Sequence, residues 1–543
     1  MITNNLRAYG LNPYARAQNK QTGLWFLGLG FLDQRGEKQE RFIPRGVLRG
    51  RQLTTYLDDL GVDLPQQRSL RDKLINDLRS VKPKKIVLIT RRHGWLDLAY
   101  VTGREVFGNT SKERVHYDGR KTEQGAGTLE SWQREVAAPA ASSSLGIFAI
   151  CAALAPPLLR FTNVENGVFH ISGPSGTGKT TVLKVAESVW RNTDELRSWD
   201  TSRPALEELL ESRNDSFVAI DEIARASSNK AELRGSIAAA AYLIGAGTPR
   251  SLSSRHIEEQ PSFRVLAISS GEVSAKEIAR HVGDARFAGE EARFNDVDIA
   301  ELANGIFDRL DASKARGAQT RLVDGLNEAV KNHYGHAAPA FIARICEDMA
   351  YAAEKIAEHM DAFVTKLEVP DNGWARRIAK RFALVYAAGM LAVEWEVVTW
   401  EENEVRNAVV RVYRAAQRSA GTGKAQKESM IKDLSLRLDR AVTLKSLKKR
   451  DTLPVDSFLC DENAGEVMIA TEAFDELADK CTRDALLNDL DNANTLVRGR
   501  GVQGSGTAFS SQRTVKLSGR KERPYFYVFL DGRFRDHLKT AAV

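Results

Sequence analysis

The sequence predicts an α/β fold built around a parallel sheet with a phosphate-binding loop, and three observations carry that expectation. Gly173-Pro174-Ser175-Gly176-Thr177-Gly178-Lys179-Thr180 fits GxxxxGK[ST] without a gap, between an extended apolar run (Val168–Ile171) and a helical one (Thr181–Val189). Phe217 to Ile220 is a second apolar run, and it ends in Asp221-Glu222. Between residues 129 and 307, short β-branched runs alternate with helical segments, as when helices cross over between parallel strands.

Composition removes several other classes. With 43% hydrophobic and 27% charged residues over 543 positions, the chain is globular and long enough for several domains. A net charge of +7 permits a polyanionic partner without requiring one. Cys151, Cys346, Cys460 and Cys481 form no CxxC pair, which argues against a disulfide scaffold or a zinc finger and for a reducing compartment. The first residues contain no apolar stretch of signal-peptide type, and the greasiest run, Leu145 to Leu159, is too short to span a bilayer. A cytoplasmic protein with no membrane partner is expected.

Four segments follow in order. Residues 1–128 read as a small α/β domain. A strand through Leu24–Phe31 turns at Asp33–Gly36 and returns through Arg41–Ile43; helices follow near 51–60 and 70–81, then strands at Lys85–Thr90 and Leu98–Val101. Residues 129–310 hold the parallel-sheet core. Residues 311–420 read as helical, rich in Ala, Arg and Glu at helical spacing, and a Gly/Ser-containing linker is expected over Gln417–Gly423. Residues 421–543 read as helix (Met430–Val442), extended piece (Glu466–Ala470), helix (Glu472–Leu490) and strand pair (Arg513–Leu517, Tyr525–Leu530), an order that suits a winged-helix-like domain.

The core carries the chemistry. Loop glycines let backbone N–H groups curl round phosphates, and the following helix adds its positive end, so Gly173, Pro174, Ser175, Gly176, Thr177, Gly178, Lys179, Thr180 and Thr181 form the expected nucleotide cradle for ATP. Lys179 would neutralise the β- and γ-phosphates, and Thr180 with Asp221 would hold Mg²⁺. Glu222, next to Asp221, which lies 42 residues after Lys179, would polarise the attacking water. The next strand, Arg264–Ser269, ends in Ser269-Ser270-Gly271-Glu272. Ser269 is expected to orient that water, or else to cap the next helix.

Phosphate loop, acidic pair, polar strand end and helical lid come in the order that resembles AAA+ ATPases. Gly94-Trp95, Trp132–Leu159, Trp199-Asp200-Thr201, Ser269-Ser270-Gly271-Glu272, Gly289-Glu290-Glu291-Ala292-Arg293 and Arg381-Phe382-Ala383-Leu384 look like successive landmarks of one family. That is domain-of-unknown-function family nine-two-seven, which includes MCM-like cassette-chromosome helicases of mobile genetic elements. The resemblance covers residues 22–415 and implies an AAA+ core with a helical lid. It also implies a homo-oligomeric ring, a hexamer, that moves along single-stranded or forked DNA with ATP. Such a ring would serve replication of a mobile element or phage, with a separate primase or polymerase as a candidate partner. An ATPase switch that assembles on DNA to load another protein is the alternative.

By the same resemblance Arg293 stands where an arginine finger would reach a neighbour's site. Arg377 or Arg381 would be the second sensor of the lid, Arg377 being favoured. Arg250 and Arg255 would lie on a hairpin facing the pore, although Thr248-Pro249 replaces a commoner lysine-rich run, and an ordinary exposed loop remains open. In the tail, Arg498 to Arg523 holds seven basic residues against Glu522 alone. Arg513, Lys516, Arg520 and Lys521 are the expected phosphate contacts of a wing. Arg91-Arg92-His93 in the first segment is basic, and its role is left open between plain surface and DNA handling.

Overall fold

The computed structural model describes residues 4–108, 115–119, 124–249, 262–284, 286–301, 306–310, 317–367, 369, 373–420, 423–446, 458–475, 477, 480–497, 510–512 and 525–541. The chain divides into two compact units, 1–416 and 417–543. The first three expected segments therefore pack as one unit.

That unit opens with β1 (Asn12–Asn19), β2 (Trp25–Leu32) and β3 (Lys38–Pro44), followed by β4 (Ile86–Thr90). A small sheet of β5 (Gly94–Leu96), β6 (Ala99–Val101) and β7 (Val106–Phe107) precedes β8 (Val115–Tyr117). The larger sheet has the order β3-β2-β1-β4-β8. The hairpin read from the sequence is β2 and β3, and its turn is held by Asp33 Oδ1, which accepts from Arg35 N and Glu37 N at 2.9 Å. The helices lie at Leu53–Asp59 and Arg68–Ser80. Strand β1 was not anticipated, yet it is central, antiparallel to β2 and parallel to β4. Its inward positions include Ala15 and Ala17, weak strand formers that give no apolar signal, and partners on both sides supply what propensity lacks.

The core sheet contains β9 (Gly167–Ser172), β10 (Arg197–Ser198), β11 (Ser216–Asp221), β12 (Val265–Gly271) and β13 (Phe294–Asp298), all parallel, in the order β10-β11-β12-β9-β13. Side chains alternate between two hydrophobic cores, as a strand's period of two requires. Phe169, Ile171, Phe217 and Ile268 enter one core, whereas Val168, Val218, Ile220 and Ala267 enter the other. Every residue of the helix Ser144–Leu154 is buried, which accounts for the greasy run: this helix has no solvent face. Phe148 on that helix, Phe169 on β9 and Phe382 on the helix Gly373–Glu394 lie 4.9 to 5.5 Å apart by ring centroid, joining three layers. From Ala318 the unit is helical, and the last helix, Glu402–Ala420, runs through the first four residues of the expected linker.

A single carboxylate joins the front sheets to the core. Asp215, immediately before β11, is fully buried and receives Trp95 N (2.9 Å), Asn214 Nδ2 (2.8 Å) and Arg264 Nε (2.5 Å); its carbonyl receives Tyr100 Oη (2.5 Å). Gly94 approaches it so closely that a Cβ would stand 2.3 Å from Asp215 Oδ2, at φ +88°. This contact explains physically why Gly94-Trp95 stands out in the sequence. Arg92 Nη2 donates to Asn214 Oδ1 (2.9 Å), Arg91 pairs with Asp118 (3.0 Å), and His93 Nε2 meets Tyr117 Oη (2.7 Å). The basic triplet is thus engaged with protein groups.

The second unit carries β14 (Val442–Thr443), β15 (Phe458–Asp461), β16 (Glu466–Ala470), β17 (Ser510–Gln512) and β18 (Tyr525–Leu530) in one sheet of order β14-β15-β16-β18-β17. β16 and β18 have the bounds expected for the extended piece and for the second strand of the pair, whereas β14, β15 and β17 were not anticipated. Arg513–Leu517 lies outside the described residues, and a helix, Asp531–Ala541, follows β18. Phe529 stacks on Phe534 of that helix at 4.2 Å, inside a core that includes Leu434, Phe474 and Leu487. Among the described residues, no helix is long and apolar enough to cross a membrane.

Candidate nucleotide site

The site is built on the carboxyl ends of three adjacent strands, β9, β12 and β11. Strand β9 runs into the loop, where Gly176 and Gly178 take φ +75° and +98° before the helix Lys179–Ser188 begins. Lys179 is 7% exposed, and its Nζ donates to the Gly173 and Pro174 carbonyls, both at 2.7 Å. Burial lowers its pKa, and Glu222, Glu272 and Asp221 oppose that shift. Thr177 Oγ1 closes the loop onto Pro174 O at 2.9 Å. Thr180 Oγ1 donates to Asp221 Oδ2 at 3.0 Å, so the two expected metal-holding groups already meet. Thr181 points elsewhere: it is buried, and its hydroxyl accepts from Asn327 Nδ2 at 3.1 Å.

Asp221 closes β11, and Glu222 follows at φ +55°, a left-handed conformation that a non-glycine residue adopts at some cost. Glu222 Oε1 is buried without a hydrogen-bond partner. A buried carboxylate oxygen with no donor is an open valence for a water or another ligand. Hard oxygen donors at Thr180 and Asp221 fit Mg²⁺, which favours oxygen and accepts few protein ligands when phosphates supply the rest.

The expectation for Ser269 needs correction. Its side chain is fully buried and lies within a chain of hydrogen bonds in the core: Trp199 Nε1 donates to its Oγ (2.8 Å), and its hydroxyl meets His170 Nδ1 (3.0 Å). His170 Nε2 lies 3.0 Å from Val273 O, a pure acceptor, so Nε2 carries the proton and Ser269 donates to Nδ1. Burial lowers the His170 pKa, keeping the ring neutral. The hydroxyl that reaches the acid pair belongs to Ser270. It donates to Asp221 Oδ1 and accepts from Glu222 N at 3.1 Å. Successive residues of a strand face opposite sides, and in the parallel register Ile220 pairs with Ser269. Register was therefore the missing information; the serine pair itself was legible.

Among the arginines, Arg381 is 1% exposed and bonds Ala292 O (2.6 Å), Asn295 Oδ1 (2.9 Å), Asn166 O (2.9 Å) and Glu165 O (3.3 Å). Burial pushes its pKa down to about 10. It staples the 373–394 helix to the entries of β9 and β13, whereas Arg377, one turn earlier, is exposed. Arg293 immediately precedes β13. Its carbonyl accepts from Val168 N (2.8 Å), and its Nη1 donates to Gly289 O (2.8 Å). Arg250 and Arg255, and Arg513, Lys516, Arg520 and Lys521, lie outside the described residues.

Residues 12–263 match the model of a domain of unknown function, DUF927. The matched stretch contains the phosphate loop, Asp215 and the Asp221-Glu222 pair, while Ser270, Arg293 and Arg381 lie beyond it. The solved structure "SCCmec type IV Cch - active helicase" is similar with a TM-score of 0.62 at 17% identity, over 97% of this chain and 94% of that chain. At that identity the likeness shows the fold alone, and it extends past the stretch matched to DUF927 over nearly the whole chain. "The A form apo structure of NrS-1 C terminal region-CTR" is a remote neighbour, with a TM-score of 0.28 at 10% identity over 75% of this chain and 93% of that chain. No curated protein matches.

Proposed function

We propose that this chain is an ATP-dependent DNA helicase or translocase of the MCM-like AAA+ type, acting as a homo-oligomeric ring, a hexamer, in replication of a mobile element or phage. One observation carries the reading: Lys179, Thr180, Asp221, Glu222 and Ser270 converge at the carboxyl edge of a parallel sheet in which β12 lies between the loop strand and the acid strand. The fold shared with a structure described as an active helicase supports it.

In this reading the loop N–H groups and Lys179 receive the phosphates of ATP, Lys179 leaving the two loop carbonyls that hold it. Thr180 and Asp221 would hold Mg²⁺, which when bound would offset charge on the β- and γ-oxygens. Glu222 takes the proton of the attacking water through its unpartnered Oε1. Ser270 fixes both acids at once, by donating to Asp221 and accepting from the Glu222 backbone. Arg293 of a neighbouring subunit would complete the site by stabilising charge on the γ-phosphate. Arg377, exposed on the lid, is the favoured second sensor, and Arg381 is the structural staple. Arg250, Arg255 and the basic tail would contact DNA phosphates.

The test is hydrolysis of ATP with and without single-stranded DNA, together with unwinding of a forked duplex, using Glu222→Gln as the control. DNA-stimulated hydrolysis with unwinding, both abolished by Glu222→Gln, is the expected result. Stimulated hydrolysis without unwinding would favour the loading switch. Full-rate hydrolysis by Glu222→Gln would remove Glu222 from the mechanism.

A further inference from the structure

Phe287 is 69% exposed, more than any other large apolar side chain among the described residues. The segment that presents it is held by buried charges. Arg286 is bonded to Glu290 (2.9 Å), Asp296 (2.8 Å) and Phe294 O (2.6 Å), and Glu290 also receives Arg234 (2.8 Å). Asp284 lies 3.0 Å from Arg234 Nε. Buried ion pairs of this kind add little net stability, but they define geometry strongly. Here they hold the surface stretch from Phe287 to Arg293 in place.

Arg293 belongs to the same patch. Its side chain runs across Gly245, where a Cβ would stand 2.2 Å from Arg293 Cδ. The guanidinium lies 5.6 Å from the ring centroid of Tyr242, which is itself 44% exposed. Gly289 touches both, because a Cβ there would lie 3.3 Å from Arg293 Nη1 and 3.6 Å from Tyr242 Oη. Glu290 serves Arg234 and Arg286, so the carboxylate facing Arg293 is Glu165, at 3.7 Å from Nη2. That separation is loose enough to exchange for a stronger anion. The nucleotide edge presents carboxylates of complementary sign, Asp221 at the end of β11 and Glu222 beside it with an unpartnered oxygen.

We propose that the face formed by Tyr242, Phe287 and Arg293 docks on the nucleotide edge of a second copy of this chain, with Phe287 as its apolar anchor and Glu165 as the carboxylate that yields Arg293 to the neighbour's γ-phosphate. The proposal rests on the ring-ATPase reading above and adds to it the residue that makes the contact. An exposed aromatic on a fixed backbone beside a desolvating arginine has the character of an interface hot spot. Tyr242 keeps the guanidinium extended along the α-helical surface by cation–π contact, so Arg293 reaches the partner already oriented.

The test uses the full chain with ATPγS in sedimentation velocity across a range of protein concentrations, beside steady-state hydrolysis of ATP. Phe287→Ser should raise the concentration needed for half-assembly by at least about tenfold. Binding of a fluorescent ATP analogue per chain should stay within about twofold, and Phe287→Leu should restore most of the assembly. Hydrolysis by Phe287→Ser should recover at high protein concentration, because its finger is intact, whereas Arg293→Ala should not recover at any concentration. A Phe287→Ser chain that assembles at wild-type concentrations overturns the anchor and leaves the ATPase reading standing. A wild-type chain that stays monomeric with ATPγS and hydrolyses ATP at a concentration-independent rate overturns the docking face and the ring together.

Discussion

Strand β11 is bracketed by two acids with the same positive φ and opposite surroundings. Asp215 precedes it and Glu222 follows it, both at φ +55°. Asp215 is fully buried and its carboxylate is satisfied by a backbone N–H, an amide and a guanidinium. Glu222 keeps one buried oxygen without a partner. Left-handed backbone at a non-glycine residue carries strain of about 1–3 kcal/mol, which the surroundings must offset. At Asp215 hydrogen bonds offset it and tie the front sheets to the core. At Glu222 the backbone N–H donates to Ser270 Oγ, but the carboxylate keeps its unpartnered oxygen, and its charge acts on the phosphate-loop lysine. The two positions share the strain and differ in whether the carboxylate is satisfied.

The largest effect expected is on chemistry at the far end of the strand. Glu222→Gln should lower ATP turnover by about 10²–10⁴-fold with no loss in the urea midpoint of unfolding. A parallel loss of stability would make Glu222 a second Asp215. At the near end, Asp215→Ala should cost about 3 kcal/mol in urea unfolding, because Arg264, Trp95 N and Asn214 lose a shared acceptor. ATP-analogue affinity of the remaining folded protein should change little, and a selective loss of turnover with full stability would break the contrast. The serine pair sharpens it further. Ser269→Ala should cost about 1–2 kcal/mol of stability by leaving Trp199 Nε1 without its acceptor, while Ser270→Ala should spare stability and slow turnover. Reversed results would return Ser269 to the water-orienting role.

The smallest effect is a pH dependence. Burial holds the His170 pKa below its ordinary 6.5, with Asp296 opposing the shift and Arg286 and Lys179 assisting it. The unfolded chain then binds the proton more readily. His170 contributes stability above pH 6.5 that is lost as pH falls from there through its folded pKa, by at most about 1.4 kcal/mol per pH unit. Thermal unfolding between pH 7.5 and 5 should show this slope, and His170→Asn should flatten it.

Much of the local structure was legible because its chemistry is local. A glycine-rich loop before a lysine can be read along the chain, as can an apolar strand ending in two acids or a hairpin turning at Asp33–Gly36. Strand β1 was hidden, since its inward alanines look like neither strand nor core until β2 and β4 flank them. In the second unit β16 and β18 were legible, whereas β14, β15 and β17 escaped for the related reason that short runs such as Phe458–Asp461 are defined by their partners.

By itself the sequence determined the phosphate loop, its acids and the alternation of strand and helix, because each depends on residue type at fixed spacing. Only the tertiary structure decided which serine meets Asp221, which arginine is buried and which stays exposed, and what Gly94 is for. Those depend on register between strands and on contacts across 48 to 216 positions of chain, where a shift of one residue reverses the face on which a side chain acts.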